Sequence, residues 1–161
     1  METGLVKVYC GDGRGKTTAA IGRAICAASQ GKTVIIIQFL KGRNEEELSF
    51  IKRLEPEIKL FRFEKSEDFY DQLTQAQQSE EVINIKNGIN FARKVVQTGE
   101  CDVLILDEIL GLLDNKIITI EDIEKITENK GEEMELIFTG RFINEELMKI
   151  ADSVSKVETL K

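Results

Sequence analysis

A glycine-rich segment near the amino terminus constrains this chain more than any other feature. Residues 11–18 read Gly-Asp-Gly-Arg-Gly-Lys-Thr-Thr and stand between an apolar run, Leu5–Cys10, and an alanine-rich stretch, Thr17–Ser29. Glycines allow the backbone to turn so that successive N–H groups point inward, and the amino end of a following helix adds positive potential. The segment therefore predicts a phosphate-binding loop between a strand and a helix. A glycine-rich turn with an exposed lysine is the alternative interpretation.

Two side chains of this loop suit a nucleotide and its metal ion. Lys16 can neutralise phosphate charge, and the hydroxyl of Thr17 is placed to ligate Mg²⁺. The usual motif has four residues between its two glycines and would need a glycine where this chain has Cys10, so the loop is one residue short. We expect the following residues to bind the nucleotide: Gly11, Asp12, Gly13, Arg14, Gly15, Lys16, Thr17 and Thr18.

Strand and helix patterns alternate along the rest of the chain. Apolar runs typical of parallel strands predict strands over Leu5–Cys10, Thr33–Leu40, Ile58–Phe63 (near an edge), Asp102–Leu106, Met134–Phe138 and Val154–Leu160. Helices are predicted over Thr17–Ser29, Glu45–Leu54, Thr74–Gln97, Thr119–Asn129 and Asn144–Ala151. This order favours a doubly wound α/β fold with a mainly parallel sheet and helices on both faces. The length of 161 residues fits a single domain over residues 1–161.

The composition excludes several classes of function. The chain has no histidine, which removes Ser-His-Asp and Cys-His catalysis and imidazole metal sites. Lys+Arg number 22 against 29 Asp+Glu, a net charge of -7, and this acidic balance argues against sequence-independent nucleic-acid binding. The cysteines Cys10, Cys26 and Cys101 are few and far apart, as in a reducing compartment. Because the sequence shows neither a signal peptide nor an apolar run of the ~20 residues that a membrane helix needs, we expect a soluble cytoplasmic protein.

Further candidate residues follow other predicted strands. Asp107 and Glu108 come directly after an apolar strand, where a phosphate-loop protein holds Mg²⁺ or its water shell; an acidic loop start is the alternative. Arg141 follows a strand and could reach phosphate oxygens as a fork donor, or it is a surface arginine. Lys41 is either a ligand contact or a solvated lysine. Because the carboxyl ends of parallel strands lie at one edge of a sheet, we expect these groups to converge on the loop.

Four motifs occur in order along the chain: Gly11–Ala20, Gln38–Gly42, Leu106–Glu108 and Thr139–Arg141. Together they resemble those of the bacterial P-loop type of ATP:corrinoid adenosyltransferases, a family whose phosphate loop is also short, and the resemblance covers nearly the whole chain. It implies a RecA-like P-loop fold, ATP as substrate with its phosphates running opposite to the ordinary direction, Mg²⁺ and a homodimer. It also implies that the 5′-deoxyadenosyl group passes from ATP to a Co(I) corrinoid, supplied by a separate reductase, with release of triphosphate.

The resemblance also implies roles for particular residues. Three catalytic residues would stabilise the departing triphosphate: Lys16, Glu108 and Arg141. Three residues would hold Mg²⁺: Thr17, Asp107 and Glu108. Beyond the loop itself, two residues would help to bind the substrates: Lys41 and Tyr70.

The family has an aromatic segment, often with tryptophan, that covers the corrinoid. This chain has no tryptophan and carries Phe69 and Tyr70 in that region, which either take the same role or pack under a loop. Many members also extend further at both termini, so we expect their lid elements to be missing from these 161 residues. Two other functions stay open: a P-loop ATPase or kinase that cleaves the β–γ bond, and a nucleotide-binding regulatory protein without corrinoid activity.

Overall fold

The described part of the chain is built around a parallel β-sheet. A computed structural model describes residues 4–12, 15–40, 49–63, 68 and 70–161. The strands within these residues are β1 Val6–Cys10, β2 Val34–Gln38, β3 Ile58–Arg62, β4 Val103–Asp107, β5 Glu135–Gly140 and β6 Ser153–Lys156. Their order across the sheet is β3-β2-β4-β5-β1-β6, and every neighbouring pair is parallel. The carboxyl ends of these strands therefore share one edge of the sheet.

Helices connect the strands, and local sequence explains where several of them begin and end. The helices with described bounds are α1 Lys16–Ser29, α2 Gln75–Thr98, α3 Ile109–Asp114, α4 Ile120–Glu128 and α5 Glu145–Ile150. Capping boxes start α2 at Thr74 and α4 at Thr119, and the side chain of Asn144 caps α5. Gly99, with φ 63, ends α2 in the left-handed conformation that glycine adopts without strain.

Two apolar cores lie on opposite faces of the sheet because successive side chains of a strand point to opposite sides. On one face, the alanines of α1 (Ala20, Ala24 and Ala27) pack against alternate residues of β2, β4 and β5. On the other face, α2, α4 and α5 cover the intervening residues of the same strands. Each fully buried leucine or isoleucine contributes roughly 1.5–3 kcal/mol to these cores. Small alanines let α1 lie close to the sheet, which brings its amino end next to the strand ends.

The structure confirms the parallel sheet, the helices on both faces and the edge position of the strand Ile58–Arg62. The last strand is shorter than the expected Val154–Leu160: it runs over Ser153–Lys156, and its mostly exposed side chains give little apolar burial to extend it. The helix α3 was not predicted. Of the predicted helix Glu45–Leu54, residues 45–48 lie outside the described residues, and residues 49–54 are helical. In the described part of the chain, no helix is both long and apolar enough to cross a membrane.

Candidate nucleotide-binding site

The glycine-rich loop lies where the sequence places it, between β1 and α1. Gly11 has φ 125 and Gly15 has φ 119, which are conformations that residues with a side chain rarely adopt. Gly15 is the residue that precedes the first turn of α1, so the amino end of this helix opens directly into the loop. Backbone N–H groups at such a helix end attract phosphate oxygens.

Gly11 is enclosed by backbone on two sides. Its N–H donates to the carbonyl of Arg141 at 3.0 Å, and the N–H of Val157 donates to the carbonyl of Cys10 at 2.7 Å. A Cβ on Gly11 would lie 2.1 Å from the carbonyl oxygen of Val157, far inside contact distance. The loop therefore begins at a position that β5 and the segment after β6 hold in place, and that only glycine fits.

Lys16 lies over the loop with an acidic neighbour. Its Nζ donates to the carbonyl of Gly11 at 3.2 Å and lies 3.9 Å from Oε1 of Glu108. The side chains of Lys16 and Glu108 are both largely shielded from bulk water, at 13% and 18% exposure. The ammonium group is thus held at the loop before any phosphate arrives.

Asp107, the last residue of β4, is the centre of a buried hydrogen-bond cluster. Its Oδ1 accepts from the hydroxyl of Thr17 at 3.0 Å and from the hydroxyl of Thr139 at 2.6 Å. Its Oδ2 accepts from Nε2 of Gln38 at 3.2 Å. Asp107 is 1% exposed, so these donors replace the water that a carboxylate needs. The cluster joins α1 to the carboxyl ends of β2, β4 and β5.

Glu108 leaves the sheet in a different direction from Asp107. It has φ 65, in the left-handed region, and its N–H donates to the hydroxyl of Thr139 at 2.8 Å. This turn starts α3 and carries the Glu108 carboxylate towards Lys16. The two adjacent carboxylates therefore have different neighbours: one contacts the hydroxyl groups and the other approaches the lysine.

Arg141 lies at the mouth of the loop. Its Nη2 is 3.5 Å from Oδ1 of Asp12, and the two side chains are 63% and 71% exposed. Its guanidinium carbon lies 5.7 Å from the centre of the Phe142 ring. An exposed ion pair of this kind contributes little to stability, so a bound anion can replace Asp12 as the partner of Arg141 at small cost.

Comparison with known proteins identifies the family. A family model described as ATP:corrinoid adenosyltransferase BtuR/CobO/CobP matches residues 2–161. The chain belongs to this family. A corrinoid adenosyltransferase of Escherichia coli K12 is 28% identical over 163 residues, covering 99% of this chain and 79% of that protein. Corrinoid adenosyltransferase CobA of Salmonella typhimurium is 26% identical with the same coverage.

A solved structure supports the fold of this adenosyltransferase family member. A KaiC-like protein from Pyrococcus horikoshii superposes with a TM-score of 0.63 at 18% identity, covering 100% of this chain and 76% of that one. Together with the parallel sheet, this likeness confirms the RecA-like P-loop fold.

The structure brings most, but not all, of the candidate residues of this family member together. Around the loop it places Gly11, Asp12, Gly15, Lys16, Thr17, Asp107, Glu108 and Arg141. Thr18 lies in the first turn of α1 and also lines an apolar groove of about 290 Å³ between α1 and residues 49–54. The carbonyl of Tyr70, ahead of α2, accepts hydrogen bonds from the N–H of Leu73 and from Nε2 of Gln78. Four candidates lie outside the described residues: Gly13, Arg14, Lys41 and Phe69.

Two residues of the Asp107 cluster, Gln38 and Thr139, belong to the motifs Gln38–Gly42 and Thr139–Arg141, but the sequence assigns neither of them to the site. Gln38 ends β2, and Thr139 lies near the end of β5, each as a polar residue closing a buried apolar strand. A buried polar side chain at the carboxyl end of a parallel strand was the signal that could have identified both. Whether such a side chain reaches the site depends on which strands are neighbours in the sheet.

Proposed function

We propose that this protein transfers the 5′-deoxyadenosyl group of ATP to the cobalt of a Co(I) corrinoid and releases triphosphate. The observation that carries the proposal is the family match over residues 2–161, which includes the loop and the Asp107 cluster. In the reaction, the electron pair of Co(I) attacks C5′ of the ribose, a Co–C bond forms and the C5′–O bond breaks. The oxygen leaves with its bonding electrons as part of triphosphate. No proton is transferred at carbon, so no general base is required.

The demand on the protein is to stabilise the anion that leaves. Lys16 is already held at the loop by the carbonyl of Gly11, and a phosphate oxygen is a stronger acceptor for an ammonium group than a neutral carbonyl. The inward N–H groups and the amino end of α1 add positive potential. Arg141, at the mouth, adds a guanidinium group that can bind phosphate through two parallel hydrogen bonds. Positive groups fixed before the reaction are the main means of such electrostatic catalysis.

The residues present fit a magnesium ion. Mg²⁺ is bound through one or two carboxylates, substrate phosphates and several waters, and the Thr17 hydroxyl and the Asp107 carboxylate supply hard oxygen ligands 3.0 Å apart. Within the described residues there is no cluster of three or more His, Cys, Asp or Glu that could hold a metal alone. Thr17, Asp107 and Glu108 would hold it. When bound, Mg²⁺ neutralises negative charge on the triphosphate.

Other features belong to the same proposal. The loop residues from Gly11 to Thr18 bind ATP, together with Lys41, while Tyr70 serves the corrinoid. All described strands join one sheet, which supports a single P-loop domain over residues 1–161. We further propose a cytoplasmic homodimer that does not bind nucleic acid and that receives Co(I) corrinoid from a separate reductase.

The test is a single-turnover reaction with purified protein, MgATP and cob(I)alamin under anaerobic reduction. Loss of the Co(I) absorbance, formation of a light-sensitive alkyl-cobalt spectrum and an equal amount of triphosphate are expected. Release of phosphate instead would indicate an ATPase or kinase, and bound ATP with an unchanged corrinoid spectrum would indicate a regulatory protein. Either result would refute the proposal.

A pair of lysine variants tests the site itself. Lys16→Ala is expected to lower the transfer rate roughly 100- to 1000-fold, the usual effect of removing one group that stabilises a developing anion. Lys94→Ala removes the same charge from an exposed position of α2 and should leave the rate unchanged. Equal rates for the two variants would show that Lys16 does not act on the leaving group.

A further inference from the structure

Gln38 occupies an unusual place at the edge of the sheet. It is the last residue of β2, and it is paired in register with Arg62 of β3 on one side and with Asp107 of β4 on the other. These strands are neighbours, so the three residues form a row that points to the α1 face. Gln38 is only 4% exposed. A long polar side chain at a buried position needs hydrogen-bond partners.

The two ends of the Gln38 amide have different surroundings. Its Nε2 donates to Oδ2 of Asp107 at 3.2 Å, within the buried cluster. Its Oε1 is buried and has no hydrogen-bond partner among the described residues. Leaving a buried acceptor unsatisfied is unfavourable, and an apolar side chain would avoid that cost. The amide therefore fits a role that needs both its donor and its acceptor.

We propose that Gln38 is a positioning residue for the divalent cation of this site. Its Nε2 fixes the Asp107 carboxylate so that Oδ1 faces the Thr17 hydroxyl, and its Oε1 accepts a hydrogen bond from a water molecule of the cation's hydration shell. Mg²⁺ gives up its waters reluctantly and usually keeps several of them. Carboxylates that bind metals are themselves held by hydrogen bonds from further groups. The inference rests on the metal site of the proposed function, but not on the corrinoid reaction.

The experiment measures the dissociation constant of ATP with excess Mg²⁺ and again in EDTA, without any corrinoid. The ratio of the two constants reports how strongly the protein couples nucleotide and metal binding. For Gln38→Met, which keeps the length of the side chain but removes both polar ends, the ratio is expected to fall about tenfold or more, as is usual when an outer partner of a metal ligand is lost. The dissociation constant in EDTA should stay that of the parent protein.

Glu135→Gln is the matched control. Glu135 is another buried polar residue of the same sheet face, at the amino end of β5, where it contacts Lys7 at 2.6 Å and Arg23 at 3.0 Å. This variant should lose stability and keep the parent ratio. Neither measurement involves a corrinoid. If the two ATP dissociation constants behave as expected but the protein does not transfer the adenosyl group, the proposed reaction is refuted and the role of Gln38 is not.

A second variant covers the case in which Gln38→Met does not fold. Gln38→Asn retains an amide but shortens its reach by one methylene, so it should lower the ratio in the same direction. The inference is overturned if a folded Gln38 variant weakens ATP binding equally with Mg²⁺ and in EDTA, because Gln38 would then serve only the fold. It is also overturned if the ratio does not change, or if the parent protein shows no dependence on Mg²⁺.

Discussion

Replacing Gly11 by alanine is the most direct test of how the phosphate loop is held. The new Cβ would lie 2.1 Å from the Val157 carbonyl oxygen, and the residue would keep a φ of 125. To reach ordinary contact distance residue 11 must move away from Val157, which breaks the bond from Val157 to Cys10 and distorts the bond from Gly11 to Arg141 on the opposite side. A non-glycine residue at such a φ costs roughly 1–3 kcal/mol, and each hydrogen bond about 1 kcal/mol. The expected loss of stability is about 3–5 kcal/mol.

Thermal unfolding followed by circular dichroism would measure this loss. For a chain of this size the melting temperature should fall by roughly 6–20 °C, and ATP binding should weaken because the loop moves. Gly22→Ala is the control: Gly22 lies inside α1 with nothing within 4 Å of an added Cβ, so the same substitution should stabilise the protein by roughly 0.5–1 kcal/mol. If Gly11→Ala melts within about 2 °C of the parent and binds ATP equally well, the contact with Val157 does not hold the loop.

Three further changes have defined outcomes. Burial raises the pKa of the Cys101 thiol to about 12, so at pH 8 iodoacetamide should label exposed Cys26 and not Cys101 unless the protein unfolds; labelling of native Cys101 would contradict this. Partial burial raises the pKa of Asp114, so its ionisation opposes folding above its folded pKa. Asp114→Asn should therefore raise the melting temperature slightly at pH 7, and the gain should vanish as the pH falls well below the ordinary Asp pKa of 3.8, where the carboxyl is neutral in both states. A Cβ on Gly140 would lie 2.2 Å from Cβ of Leu110. Gly140→Ala should therefore lower the free energy of unfolding in urea by roughly 1–3 kcal/mol through overpacking. An unchanged free energy of unfolding would mean that α3 shifts to make room.

The sheet could be predicted because its central strands are short runs of apolar, mostly β-branched residues. β2 and β4 are buried at every position, which is why their sequences show no alternation and indicate strands covered on both faces. The contact between Thr17 and Asp107, which are 90 positions apart, could be predicted from the parallel sheet. Parallel strands place their carboxyl ends on one edge, and the first loop after β1 opens at that edge.

The contacts around Asp107 could not be predicted because they depend on the order of strands. Gln38 and Thr139 reach Asp107 only because β2 and β5 flank β4, and apolar patterns locate strands without telling which are neighbours. The helix α3 was missed for local reasons. Its six residues are too few to show a helical period, and the left-handed turn that begins it falls on Glu108, a residue type that gives no signal for such a conformation.

The hydrogen bonds of the site also indicate which reactions suit it. A general base needs a lone pair directed at the proton it removes, whereas the Asp107 carboxylate already accepts from three side chains and is 1% exposed. The Glu108 carboxylate approaches the Lys16 ammonium, and the chain has no histidine. Hydrolysis of ATP would require a group that orients or activates water, while a Co(I) corrinoid arrives as a strong nucleophile and needs no such group. A loop rich in hydrogen-bond donors can stabilise an anion that leaves. Carboxylates that already accept hydrogen bonds or contact a lysine are poorly placed to activate an attacking water. Adenosyl transfer requires the first of these capacities and not the second.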